Sequence, residues 1–273
     1  MSTYKYTFVL VHLIASLGAY SQGISGISGA DAWSQGGIST TVNTPFSVLN
    51  NAAVMSYSAG ISAGLYSEQR FNRNELLLST LAVVLPNKII DVGIGVSYFG
   101  FHSFNQQRIV LSASKKIAET ISIGVQGNYL MTNINEYGQS GIFVLGAGVY
   151  YQPTSKIEVG VSIFNPNQQK FADKISDQIP VFARLGCSYK VNSKVRVLGE
   201  TELQLDQPTI VRGGIQYHLH EKFGLALGAS SNPGLFCFGL FAKYNCLVFD
   251  AAATTHPTLG FTPSFSIRLQ RKK

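Results

Sequence analysis

Charge is scarce in this chain. Only 13% of its 273 residues are Asp, Glu, Lys or Arg, where a soluble domain usually carries about a quarter. Long apolar runs are missing too. Beyond the first twenty residues none approaches the roughly 20 residues that a spanning helix needs, which excludes a helical membrane protein. Cysteines number three, and Cys187, Cys237 and Cys246 fall within strand-like segments rather than paired loops. That excludes a disulfide framework and leaves them as small apolar side chains. No cysteine follows the apolar N-terminal core, so no lipid anchor is expected.

Chemistry-bearing constellations are absent in the same way. His102 and His256 lie in separate loops without further His or Cys beside them, so no metal site is expected. His218 and Glu200 resemble a base and its orienting group, but no nucleophile can be assigned to them, and no catalytic residue is expected. The glycines of Gly93-x-Gly95 and Gly146-x-Gly148 are followed by no helix; they are strand glycines that make room, not phosphate loops. No cofactor is expected. The net charge of +7 comes from lysines such as Lys88, Lys116, Lys156, Lys194, Lys222 and Lys243, which stand singly or in pairs at strand ends. Without a basic stripe interleaved with exposed aromatics, a nucleic-acid partner is not expected. The lysines mark one rim, where they can snorkel towards lipid headgroups.

What the chain does have is 27 Gly, 17 Phe and 13 Tyr, set in a period of two. In "IIDVGIGVSYF" Ile90, Val92, Ile94, Val96 and Tyr98 point one way and Asp91, Gly93, Gly95 and Ser97 the other. "ISIGVQGNYL" and "IEVGVSI" repeat the pattern. "SKVRVLGETELQLDQPTIVRGGIQYHLHEK", residues 193 to 222, puts Val195, Val197, Leu203, Val211, Ile215 and Tyr217 on one face. On the other stand Arg196, Glu200, Glu202, Arg212, Gln216 and His218. A soluble β-sandwich with one wet face is the competing reading, in which the charged stripe lies outside. In a membrane barrel it lies inside, because backbone groups in hydrocarbon must be paired in a closed sheet and the outward side chains must be apolar.

Turns favour the barrel. Short connections at Pro86-Asn87-Lys88, Ala118-Glu119, Pro153-Thr154-Ser155, Val191-Asn192-Ser193, His220-Glu221 and near Asn245 alternate with longer, polar ones. Short turns at one end and long loops at the other are the architecture of outer-membrane barrels. The segments between them give about fourteen strands of the length that a tilted transmembrane strand requires. The expectation is an all-β transmembrane antiparallel β-barrel of about fourteen strands, multi-pass in a bacterial outer membrane.

The N-terminus adds three expectations. Lys5, the apolar stretch Phe8 to Ala15 and the site Ala19-Tyr20-Ser21 read as an export signal over residues 1–21. Residues 22–56 do not alternate. Thr44 as a cap and Pro45 at the start of an apolar stretch predict a short helix to about Met55, which enters the lumen as a plug. The barrel then takes residues 57–273. Phe46, Val48, Leu49 and Met55 are expected to dock in the periplasmic mouth, with Asn50 and Asn51 bonding to lumenal polar groups or exposed backbone.

"GADAWSQGGISTTVNTPFSVLNNAAVM", "VGVSIFNPNQQKFAD", "IPVFARLGCSYKV" and "THPTLGFTPSFSI" together resemble the fourteen-stranded barrels of the FadL-like superfamily. They are most similar to the small Bacteroidetes outer-membrane proteins of the PorV/PorQ type. Ala52, Ala53, Val54, Met55 and Ser56 stand where that family usually has Pro-Ala-Gly-Leu-Ala. The resemblance implies a non-enzymatic protein in outer-membrane lipid, with two functions open. One is transport or type IX secretion across the outer membrane with secretion components as partners, favoured by the PorV/PorQ likeness and by polar inward faces. The other is a passive channel or binding protein for small hydrophobic molecules such as fatty acids, favoured by the lumenal helix and by Phe99, Leu130 and Phe164. Within the lumen, counting back from the turns predicts Arg184 opposite Glu200 and Glu202 opposite Arg212, an ion-pair ladder bracing one wall.

Overall fold

A computed structural model describes residues 26–136, 138–170, 179–205 and 207–270. The proposed export signal lies outside them. Fourteen antiparallel strands close into one barrel, each paired with its neighbours in sequence and β1 with β14. They are β1 Ser62–Gln69, β2 Leu77–Leu85, β3 Asp91–Phe101, β4 Phe104–Ala118, β5 Ile121–Ile134, β6 Gly138–Tyr151, β7 Ile157–Phe164, β8 Phe182–Lys190, β9 Val195–Gln204, β10 Ile210–His220, β11 Phe223–Ser230, β12 Leu235–Tyr244, β13 Leu247–His256 and β14 Gly260–Gln270. β3 starts one residue after Ile90, which lies in the turn.

The period of two decides which face each residue takes. Val125, Leu203, Val211, Ile215 and Leu227 stand exposed on the outer wall, while Ser122, Asn128, Glu202 and Arg212 are buried within. In water such an apolar exterior would be an aggregation surface. In a membrane it is the lipid contact, and closure leaves no unpaired strand edge. No helix among the described residues is long and apolar enough to cross a membrane, so the strands make the crossing. The lysine-bearing short turns lie at one end, which the architecture assigns to the periplasm.

Inside runs the N-terminal segment, with α1 at Ala30–Ser34 and α2 at Ser47–Asn50, followed by a 3-10 helix at Ala52–Tyr57. The single helix expected from Pro45 to Met55 is therefore broken. Asn51 adopts an extended backbone, and its side-chain oxygen accepts from Ala53 N to start the 3-10 turn. Thr44 does not cap with its side chain; only its carbonyl accepts, from Ser47 N. α1 was not legible because Gly29 precedes it with no capping side chain.

The segment enters from the periplasmic end, where Met55 faces Gly93 and Ala53 O meets Ser122, and reaches inward to Ser112 and Gln126 with Val48. Phe46, Val48 and Met55 are fully buried and Leu49 nearly so. Glycines on the inner wall make room for it. A Cβ at Gly93 would overlap Val48 and Met55, one at Gly95 Leu49, one at Gly124 Ala52 and Ala53, one at Gly160 Thr40, and one at Gly228 Gly36. These strands lie all round the barrel, so the segment fills its cross-section at that level. The strand glycines make room for this chain rather than for a solute.

Candidate functional site: the lumen

Two walls of the lumen hold the segment by different means. On β8, β9 and β10 the hold is ionic. Arg184 Nε donates to Glu202 Oε2 at 2.7 Å, and Arg212 donates to Glu202 at 2.9 Å and to Glu200 at 3.2 Å. Glu200 Oε2 then accepts from Ser39 N, Thr40 N and Thr40 Oγ1 at 2.8 to 2.9 Å. Charge-assisted bonds of this kind are roughly twice as strong as neutral ones. The ladder is thus a clasp on the segment as well as a cross-strand brace.

Its register differs from the expectation by two residues at each turn. Arg184 stands opposite Glu202, not Glu200, and Arg212 opposite Glu200, not Glu202. A slip of two preserves the face, so all four groups remain lumenal. The cause lies in the turns: β8 ends at Lys190 and β9 resumes at Val195, paired Lys190 with Arg196, which sets the hairpin centre one residue beyond Asn192. Glu202 still reaches Arg212, but diagonally.

Arg196 belongs to a second cluster nearer the periplasm. It contacts Glu158 and Ser188, and donates to Thr41 O at 3.0 Å; Lys190 joins Glu158 at 2.8 Å. Gln216 lines the same polar cavity of about 370 Å³, with Asp31, Gln35 and Thr41 from the segment. His218 does not meet Glu200. Its ring packs edge-on against Phe241 at 4.9 Å.

On β2 to β7 the hold is apolar, helped by side chains that sequence reasoning missed. Ser112 Oγ and Gln126 Nε2 both donate to Val48 O at 2.8 Å, Ser122 Oγ donates to Ala53 O at 2.7 Å, and Arg108 Nη2 donates to Leu49 O at 3.1 Å. The bonds to Val48 O and Leu49 O satisfy carbonyls that α2 leaves orphaned at its C-terminus. Arg108 was detectable: it shares the lumenal phase of "RIVLSAS" with Ser112 and Ser114. Asn51 reaches the wall backbone at Val149 O, 3.4 Å, whereas Asn50 bonds Ser28 N and O within the segment itself.

Above the segment, toward the long-loop end, one cluster holds Leu78, Phe99, Leu130, Val144, Phe164, Ile179 and Phe182 together with Phe46, Val48 and Leu49. Phe164 and Phe182 stack at 5.1 Å. The inward faces are therefore not uniformly polar, which removes one ground for preferring secretion. Below, Asp31 in α1 is buried with both carboxylate oxygens unpartnered. Burial pushes its pKa up to about 6, against the pull of the nearby Arg268.

A closed fourteen-stranded antiparallel barrel with an apolar belt outside and its own N-terminal segment folded within is the FadL-like outer-membrane barrel fold. Solved structures of that fold match over nearly the whole length. The toluene transporter TbuX of Ralstonia pickettii aligns with a TM-score of 0.69 at 13% identity, over 90% of this chain and 99% of that one. The toluene transporter TodX of Pseudomonas putida gives 0.69 at 12%, over 92% and 100%. A FadL homologue of Pseudomonas aeruginosa gives 0.64 at 11%, over 89% and 98%. No family model and no curated protein matches. Identity this low establishes the fold, a multi-pass barrel of the bacterial outer membrane, and leaves the cargo to the lumen's own chemistry.

Proposed function

We propose that the protein is a non-enzymatic channel for small hydrophobic molecules, with residues 26–57 as its stopper. The observation that carries the reading is the apolar cluster from Leu78 to Phe182 in the outer half of the lumen, resting directly on the segment. A hydrophobic solute entering from the long-loop end meets a lining of its own polarity there, as ligand pockets generally provide. Progress to the periplasm then requires the segment to shift. The named function of the toluene transporters supports the same class. The PorV/PorQ resemblance leaves type IX secretion as the rival, and those structural neighbours lend it no support.

Three measurements test this. In a Gram-negative host whose lipopolysaccharide leaflet retards hydrophobic solutes, expression of the barrel is expected to raise toluene uptake. Deletion of residues 23–56 with the export signal kept is expected to give a folded barrel that also admits small polar solutes. Failure of the deleted barrel to assemble would make the segment part of the core and not a stopper. Co-purification of other outer-membrane proteins in mild detergent, with no effect on toluene uptake, would favour secretion.

A further inference from the structure

The lipid-facing wall is not smooth. Across β14, β1, β2 and β3 the register puts Phe265, Ser67, Ser79 and Tyr98 in one row, each directly opposite the next. Alternation turns all four outward, in phase with the exposed Leu65 and Leu81. The next row toward the periplasm is Ile267, Leu65, Leu81 and Val96. Two serines thus stand between two aromatic rings and beside two leucines, and the wall is recessed there. A groove of about 560 Å³ opens at this place, lined by Leu65, Ser67, Ser79, Leu81, Tyr98 and Phe265 with their neighbours. Neighbouring strands lie about 4.8 Å apart, so a floor two strands wide has room for an acyl chain.

Depth and chemistry identify the occupant. The groove is continuous with the apolar belt that lipid covers, and a void there would forfeit dispersion contacts, so hydrocarbon fills it. Ser67 lies two residues before the end of β1 and Ser79 two after the start of β2, at the long-loop end. That end belongs to the outer leaflet. Among the described residues the hydroxyls of Ser67, Ser79 and Tyr98 have no hydrogen-bond partner, and a polar group facing an apolar medium costs free energy unless it is paired. A plain acyl chain leaves them unpaired; one that carries a hydroxyl near its head satisfies them. In the connection from β1 to β2, Arg73 is exposed and pairs with no carboxylate among the described residues, with the exposed Glu75 two residues on. A guanidinium is well matched to phosphate. We infer that the groove seats an outer-leaflet glycolipid of the lipid A class, its hydroxyacyl chains between Tyr98 and Phe265 against the two serines and a phosphate on Arg73. The site is on the opposite face of the wall from the lumen, so it stands whatever crosses the barrel.

The test offers the full-length barrel, delipidated in uncharged detergent, equal amounts of diphosphorylated lipid A and phosphatidylethanolamine. Native mass spectrometry then reads bound lipid and oligomeric state together. Lipid A is expected to be retained at least tenfold over the phospholipid. Ser67→Leu combined with Ser79→Leu fills the floor with side chains that suit a lipid-facing wall, and is expected to abolish the preference. Ser67→Ala combined with Ser79→Ala keeps the groove and removes the hydroxyls. It is expected to weaken lipid A retention about fivefold, the worth of one net hydrogen bond, and to leave phospholipid retention unchanged. Heat-modifiable mobility checks that each variant is folded, and where neither folds the wild-type comparison still decides. Equal retention of the two lipids by the wild type would overturn the site, as would lipid A retention unchanged in either folded variant. A barrel dimer lost in the leucine variant, with no preference for lipid A, would assign the groove to a second copy and overturn the lipid reading.

Discussion

The β8–β10 wall and the β2–β7 wall grip the same segment with opposite chemistry. On the first, Glu200 and Glu202 hold two arginines and the backbone of Ser39 and Thr40. On the second, Val48, Leu49 and Met55 press against glycines, and neutral side chains catch the carbonyls of α2. The difference matters for how each can fail. An ionic clasp is specific in register and severe when one partner is removed, because the other stays buried and charged. A steric seat depends on volume, and it yields by degrees as methyl groups are added or taken away.

The sharpest way to break the comparison is on the ionic side. Glu202→Ala strips Arg184 of its partner and Arg212 of one of two, and is expected to destabilise the barrel by about 3 to 5 kcal/mol, read from the temperature at which heat-modified mobility is lost. In a cycle with Arg184→Met, the pair is expected to be non-additive by about 0.5 to 3 kcal/mol. Additive losses would show that the 2.7 Å contact contributes nothing. On the steric side, Gly93→Val drives a side chain into Val48 and Met55, and overpacking of this kind costs about 1 to 3 kcal/mol. Its expected signature is local: emission of the single Trp33, carried on the same segment, shifts while the strand content by circular dichroism holds. Loss of the whole barrel would mean that the wall cannot form without the segment.

The smallest effect tests a charge on the segment itself. Because burial raises the folded pKa of Asp31 to about 6, above the ordinary carboxylate value, the folded state binds its proton more tightly than the unfolded one. Stability should therefore fall as pH rises from about 4 to about 6 and then level. Asp31→Asn is expected to flatten that slope and to raise the melting temperature at neutral pH. An unchanged slope across that window would assign it to other groups.

Particular residues show how far the sequence could be read. The faces of Val125 and Asn128 or of Leu203 and Glu202 followed from alternation alone, since a strand has only two sides. The opposition of Arg184 and Glu202 did not follow, because a hairpin centre displaced by one residue moves the partner by two without changing the face. Arg108 stood in the lumenal phase but carried no hint that its partners would be Asn128 Oδ1 and Leu49 O, which only the folded chain brings to it.

What the sequence by itself determined was therefore the barrel: period-two alternation, low charge and alternating short and long turns admit no other way to satisfy backbone and lipid together. The extended backbone at Asn51 that splits the helix, the glycines occupied by the segment and the neutral partners of the buried Arg108 were decided by the tertiary structure. Each depends on which distant residues meet inside a closed cylinder, where burial turns local preferences into obligations of volume and charge.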